Sequence, residues 1–226
     1  MFDLDILTGI LNIVIINLVL SGDNAVVIAM ASMGLSEKYR KKAIFWGTTL
    51  AVVMRIVLTF VAAVLLQIPY IQFIGGTLLA LIAFKLLFPQ EEGHGTGQGS
   101  SNFTKALLTI LWADLLMSLD NVLAVAGASQ GNLYLLIFGL VFSIPIVLAG
   151  STLLTKAMGK YPWLAYIGSG VLAWTAGKMV VEDKAILPHL HALPVVEIVI
   201  PALLTAVIIG AGVWVRNKKI SEATES

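Results

Sequence analysis

Ser21-Gly22-Asp23-Asn24 lies inside an apolar run over residues 6–31, and Ser118-Leu119-Asp120-Asn121 lies inside another over residues 104–127. Both continue alike, through Ala29, Ala31-Ser32 and Gly34 in the first and Ala126, Ala128-Ser129 and Gly131 in the second. The offset is 97 residues throughout. An aspartate costs about 2.5–3.5 kcal/mol at the centre of a membrane helix. It is kept there where it faces a bundle interior, a cavity or an ion. The same acid and amide at matching places in two apolar runs therefore predict a site built by an internal repeat.

The composition agrees with a membrane setting. The chain has 226 residues, of which 58% are hydrophobic and 12% charged, and its mean hydropathy is +0.95. A soluble domain carries about 25% charged residues, so little is left here for one. Cysteine is absent, which excludes disulfides, thiolate metal sites and thiol nucleophiles. Met1-Phe2-Asp3-Leu4-Asp5 has no basic region, so the first apolar run reads as a retained span rather than a signal peptide. The partners expected are the lipid bilayer and a small substrate, with no nucleic acid. A homo-oligomer is compatible with the sequence.

Seven apolar segments are long enough to cross a bilayer as helices: 6–31, 43–66, 70–88, 104–127, 133–154, 163–181 and 194–215. The expectation is an all-α membrane protein with seven transmembrane helices. The first segment is longer than a span needs, and a helix break is expected at its Ser-Gly-Asp-Asn. Freed backbone groups there would require polar surroundings.

The connections alternate in charge. Lys38, Arg40, Lys41 and Lys42 follow the first segment, Lys85 and Lys105 flank the third connection, Lys156 and Lys160 follow the fifth segment, and Arg216, Lys218 and Lys219 follow the last. The connections at Gln67-Ile68-Pro69-Tyr70 and Gly131-Asn132 carry no charge, and the sixth holds Glu182, Asp183 and Lys184. Eleven of the 14 basic residues thus fall on one side. The positive-inside rule makes that side cytoplasmic. The expected placement is a multi-pass protein of the cell membrane, N-terminus outside and C-terminus cytoplasmic.

A second similarity relates Ile74-Gly75, Leu79-Ala80, Ala83 and Lys85 to Ile167-Gly168, Leu172-Ala173, Ala176 and Lys178, at an offset of 93. Spans one to three then correspond to spans four to six. Three is odd, so the halves run in opposite directions, which is a 3+3 inverted repeat plus one extra C-terminal helix. The expected organisation is a first three-helix repeat over 1–88, a Gly/Ser-rich cytoplasmic linker over 89–103, the inverted repeat over 104–183, and the seventh helix with its tail over 184–226. The linker's Gly93-His94-Gly95-Thr96-Gly97 lacks a lysine at phosphate-loop spacing and reads as a tether. Inverted repeats are a recurring plan of secondary transporters, with sites near the midplane on interrupted helices.

The side chains of the two motifs define a chemistry. Asn17, Ser21 and Asn24 share a helix face by their spacing of four and three, as do Asp114, Ser118 and Asn121. Asp23 and Asp120 stand about 100° away in an intact helix, and a break would bring them round. The pooled donors are carboxylates, amides and hydroxyls, all hard oxygen ligands. Such a set suits Mg²⁺, Ca²⁺ or Mn²⁺ rather than Zn²⁺ or Cu. The candidate metal ligands are Asp23, Asn24, Asp114, Asp120 and Asn121, with Asn17, Ser21 and Ser118. Each buried Asn or Ser could equally bond a neighbouring helix.

Other polar residues carry weaker signals. Arg55 lies deep in the second span and reads either as a counter-ion to one aspartate in the empty site or as a snorkelling side chain. Lys85 and Lys178 sit at span ends, where snorkelling or a structural ion pair is expected. His189 and His191 read as a solvated loop, and Glu197 as a residue of an outer vestibule.

On Ser21-Gly22-Asp23-Asn24-Ala25, on Asp114 with Ser118-Leu119-Asp120-Asn121, on the 3+3+1 span count and on the basic first loop, the chain resembles the TerC family, in its YjbE/YkoY-type branch. That family is grouped with LysE-type exporters in a wider superfamily. The resemblance implies an exporter of a metal ion, with Mn²⁺ as the transported ion and no prosthetic group, and it implicates Asp23, Asn24, Asp114, Asp120 and Asn121. Asn17 occupies the position matching Asp114, so the two halves do not supply identical ligands. The alternative is an exporter of an amino acid or other small organic solute. No enzymatic activity is expected: an intramembrane aspartyl protease would need Gly-x-Gly-Asp, which is missing from the sequence.

Overall fold

The computed structural model describes residues 11, 14, 22–65, 68–88, 98–128, 132–190 and 195–224. They form α1 (Gly22–Ser32), α2 (Glu37–Leu65), α3 (Ile71–Leu86), α4 (Gln98–Ala128), α5 (Leu133–Lys160), α6 (Leu164–Glu182), the single turn α7 (Leu187–Leu190) and α8 (Val196–Thr224), with no strand among the described residues. Four segments are long and apolar enough to cross a membrane: Glu37–Val61, Tyr134–Lys160, Leu164–Glu182 and Val196–Asn217. The expected third span is the 16-residue α3. At 1.5 Å per residue it covers about 24 Å of a hydrocarbon layer about 30 Å thick. The expected fourth span is the 31-residue α4, which carries the second acid–amide motif. Most of the expected first span lies outside the described residues.

Local chemistry fixes the helix ends. The Asn132 side-chain oxygen accepts from the N–H groups of Tyr134 and Leu135 at 3.0 and 3.3 Å, an N-cap for α5. Arg40, in the first turn of α2, reaches back over the turn that precedes it: its Nη2 donates to the carbonyls of Met33 and Leu35 at 3.1 and 2.9 Å. It satisfies carbonyls of the turn between α1 and α2. Arg40→Ala is therefore expected to cost about 1.5–3 kcal/mol, the range for hydrogen bonds to a charged group. Thermal unfolding in detergent, with Lys41→Ala as the surface control, measures it. Lys41 pairs with Glu37 at 2.8 Å, with both side chains about three-quarters exposed, and such a pair contributes little.

The chain packs as two compact units, each drawing helices from both sequence halves. The first comprises residues 1–68 and 89–161, the second residues 69–88 and 162–226. In the first unit α2 and α4 run parallel, as successive contacts show. Tyr39 meets Phe103, Ala43 clusters with Ala106, Gly47 abuts Ile110, and Arg55 reaches Ser118. The short turn Met33–Ser36 returns α2 beside α1, and Ile28, Ile44, Ile110 and Val147 form one buried cluster from all four helices. Val52 packs with Leu136 and Leu140 of α5.

In the second unit α3 lies against α6. A Cβ on Gly76 would stand 2.6 Å from the Ala176 carbonyl oxygen, and the Ser169 hydroxyl donates to the Ala83 carbonyl at 2.9 Å. Adding the offset of 93 turns Gly76 into Ser169 and Ala83 into Ala176, so these two contacts are images of one another. Gly177 meets Pro201 of α8 so closely that an added Cβ would come 2.5 Å from the proline Cα. Small residues let helix backbones approach where lipid gives no hydrophobic drive. Leu79, Ala83, Leu172, Ala173 and Ala176 are fully buried.

One polar residue organises this unit. Asp183, at the C-cap of α6 and 1% exposed, accepts from the N–H groups of Tyr70 and Ala185 on one oxygen and of Gln72 and Phe73 on the other, at 2.9–3.2 Å. Tyr70, with φ 63°, offers α3 no side-chain cap of its own. Read from sequence, Asp183 was only part of a charged connection; folded, it caps a helix more than 100 residues away.

Candidate functional site

The first unit holds a polar layer directly above its apolar cluster. One helical turn beyond Ile28, Ile44 and Ile110, counted away from the Met33–Ser36 turn, come Asn24 on α1, Thr48 on α2 and Asp114 on α4. All three are buried, at 4%, 1% and 5% exposure. The next turns add Arg55 on α2 and Ser118 on α4, also buried.

Arg55 and Asp114 form a buried ion pair, with Nη2 2.7 Å from Oδ1. The Arg55 Nε–H donates to the Ser118 hydroxyl at 3.0 Å, and that hydroxyl donates to the second Asp114 oxygen at 3.3 Å. Of the two sequence readings of Arg55, the counter-ion is the one observed. It pairs with Asp114, and it does not snorkel.

Asp23 and Asn24 lie in the first described turn of α1 (Gly22–Ser32). The Asp23 Oδ1 accepts from the Asn24 N–H at 2.9 Å. Asp23 also lies close enough to Arg55 and Asp114 for both charges to act on it, so the first motif faces the pair that Asp114 of the second half makes with Arg55 of the first. Asn24 is the unusual member: neither its amide oxygen nor its amide nitrogen has a hydrogen-bond partner, although both are fully buried. Thr48 Oγ1 is in the same condition. Thr49, Thr59, Thr77, Thr109, Thr152 and Thr155 each donate to the carbonyl four residues back, and Thr48 does not. A buried polar group without a partner costs about 1–3 kcal/mol, and three such atoms share this layer.

The second motif differs from expectation. The helix Gln98–Ala128 passes through Ser118-Leu119-Asp120-Asn121 without a break, because no glycine or proline interrupts that stretch. Its periodicity keeps the Asp120 Cα about 100° away from that of Asn121. Asn121 is partly buried on the Asp114–Ser118 face. Asn17 and Ser21 lie outside the described residues, as does the Asp120 side chain. Among the described residues no three His, Cys, Asp or Glu side chains cluster as a ready metal cage; the layer offers two carboxylates, an amide and hydroxyls.

Sequence reasoning missed Thr48. Its signal was the spacing to Arg55, seven residues along one face of α2. Lys178 sits 3.7 Å from Glu182 with both side chains about half exposed, a structural pair. Lys85 and Glu197 are exposed, and His191 and the His189 side chain lie outside the described residues.

The comparisons with known proteins agree with these helices. The sequence model of the integral membrane protein TerC family matches residues 2–220. The chain is 45% identical over 210 residues to the Bacillus subtilis membrane protein YjbE, covering 93% of this chain and 96% of that one. It is 25% identical over 187 residues to YkoY of the same organism, 74% of this chain and 57% of the relative. The Escherichia coli inner membrane protein YoaE is 25% identical over 201 residues, 80% of this chain and 39% of the relative. No solved structure matches significantly. With one family profile spanning nearly its whole length and several helices long and apolar enough to cross a bilayer, the chain belongs to the TerC family and is a multi-pass integral membrane protein.

Proposed function

We propose that this protein is a secondary transporter that exports a divalent metal ion, Mn²⁺ in the first instance, through the polar layer of its first unit. The observation that carries the reading is the buried, unpartnered amide of Asn24 beside Thr48, Asp23 and Asp114. Every atom that would touch an ion there is a hard oxygen, and the two carboxylates offset a double positive charge. Asp120, Asn121, Asn17 and Ser21 complete the proposed donor set, with Ser118 orienting Asp114. Manganese and the outward direction come from the family resemblance read in the sequence.

The inverted repeat belongs to the same proposal. The paired contacts Gly76–Ala176 and Ser169–Ala83 support a two-fold relation between the halves, and the parallel run of α2 and α4 suits spans two and four of a seven-span topology. In that topology the N-terminus is outside and the C-terminus cytoplasmic. Transport would proceed by alternating access, with metal bound to deprotonated carboxylates and protons competing for them.

An exporter of an amino acid or other organic solute is the weaker reading. A carboxylate-bearing solute calls for a cationic partner, and Arg55, the buried base among the described residues, is already committed to Asp114.

Mn²⁺ efflux from loaded cells and Mn²⁺-dependent thermal stabilisation of the purified protein test the proposal together. Asp23→Asn, Asn24→Ala and Asp120→Asn should each reduce both readouts at least tenfold in Mn²⁺ concentration dependence, since each removes a ligand. Lowering the pH from 7 to 5 should weaken Mn²⁺ stabilisation, because a protonated carboxylate is no ligand. Full efflux by Asp23→Asn and Asp120→Asn cells would refute the proposal, and stabilisation by amino acids instead of Mn²⁺ would favour the alternative.

A further inference from the structure

Resting on the reading of this layer as a cation seat, we propose that Arg55 is a resident counter-ion which an arriving divalent cation displaces from Asp114. Both oxygens of Asp114 are engaged by one connected system: Arg55 Nη2 holds Oδ1 directly, and the Ser118 hydroxyl, itself bonded by Arg55 Nε, holds Oδ2. A metal ion on either oxygen would sit within a few ångströms of the guanidinium. In a buried site of low dielectric two such positive charges repel strongly, so occupancy by one excludes contact by the other. Ser118 gives the arginine a second anchor from which to swing, since the Nε bond does not depend on the carboxylate.

The arrangement solves a problem that any carrier with buried carboxylates faces. An empty anionic site must persist without its cation, and an uncompensated buried charge is costly. A tethered guanidinium neutralises Asp114 for that part of the cycle and yields it to an ion of higher charge. Asn24 and Thr48, whose orphaned polar atoms lie in the same layer, stand ready for the incoming ion while Arg55 holds the acid.

A competitor and a structural pin predict opposite signs. If Arg55 competes with the metal, removing its charge frees Asp114 and tightens binding; if it only braces the site, removing it weakens binding. The test uses purified full-length protein titrated with MnCl₂, free Mn²⁺ being read from the paramagnetic resonance of the aquo ion. Arg55→Gln should bind Mn²⁺ roughly ten- to a hundredfold more tightly than the parent, a span usual for coupled sites. The gain should vanish in Arg55→Gln with Asp114→Asn, where no carboxylate is freed. Arg55→Lys, which keeps the charge but loses the Nε anchor on Ser118, should gain less than Arg55→Gln.

A second measurement needs no variant to fold. Infrared difference spectra of the parent protein labelled with ¹³C-guanidinium arginine should show a guanidinium band moving on saturation with Mn²⁺. Equal or weaker binding by Arg55→Gln, a gain that survives Asp114→Asn, or a guanidinium band unmoved by bound Mn²⁺ would each overturn the displacement. Failure of the parent to bind Mn²⁺ at all would instead refute the cation seat itself, and the displacement with it, so the two failures are told apart.

Discussion

Asp114→Ala should lower the stability of the protein by about 3–5 kcal/mol, because it removes the carboxylate that directly holds the buried Arg55 guanidinium. Arg55 is 3% exposed and Asp114 5%, so water cannot replace the lost partner without opening α2 from α4. The loss is visible as a fall in melting temperature in detergent without any metal present. It should also appear as faster hydrogen exchange along α2 and α4. The informative companion is the double replacement Arg55→Met with Asp114→Leu. Replacing a buried ion pair by apolar groups of similar volume is often neutral or stabilising, so this variant should recover most of the loss while binding no Mn²⁺. A double variant as unstable as Asp114→Ala would mean that the site depends on the pair's hydrogen bonds, Ser118 included, more than on its charge balance.

Asp183→Ala should be nearly as damaging, by about 3 kcal/mol, although no substrate role is assigned to it. Four backbone N–H groups converge on that carboxylate, and hydrogen bonds to a charged acceptor contribute about 1.5–3 kcal/mol each before compensation by water. Three of those donors belong to the entry and first turn of α3, which has no cap from its own side chains. Hydrogen exchange should therefore rise first at Tyr70, Gln72 and Phe73. Asp183→Asn, which keeps one accepting oxygen, should fall between the parent and the alanine variant. Mn²⁺ affinity measured on the surviving folded fraction should not change. A shift in affinity as large as that of Asp23→Asn would argue that Asp183 does more than hold α3.

The two residues differ in how far sequence could expose them. Asp114 was found because an acid inside a long apolar run has few ways to survive, and because it stands on one helix face with Ser118 and Asn121. Asp183 was passed over because an acid beside Glu182 and Lys184 in a connection looks solvated. Nothing in its neighbourhood shows that a helix start at Tyr70 needs it. Thr48 was passed over because a threonine in a membrane helix normally bonds the carbonyl four residues back, and only the fold reveals that this one does not.

The packing units carry a similar lesson. The offsets of 97 and 93 were legible as repeated residues, and the helices α2, α5, α6 and α8 begin within a few residues of the apolar runs that foretold them, apart from the basic turn that extends α2. Which helices pack together was not legible. Apolar periodicity is degenerate where lipid and neighbouring helices are equally apolar, so it cannot choose a helix's partner. The break expected at the first motif falls at Ser21, outside the described residues, whereas the second motif runs unbroken.

Residue order alone places this chain in the membrane, locates most of its helices along the chain, and marks which acids and amides stand among their apolar residues. Those properties are written in one dimension, because an unpaired carboxylate in hydrocarbon is costly wherever it occurs. Folding in three dimensions is what lets Arg55 neutralise Asp114 across 59 residues and Asp183 cap α3 across 113, and what leaves buried polar atoms of Asn24 and Thr48 without partners. Such pairings depend on helix register and side-chain direction between segments distant along the chain, and no spacing within a single segment records them.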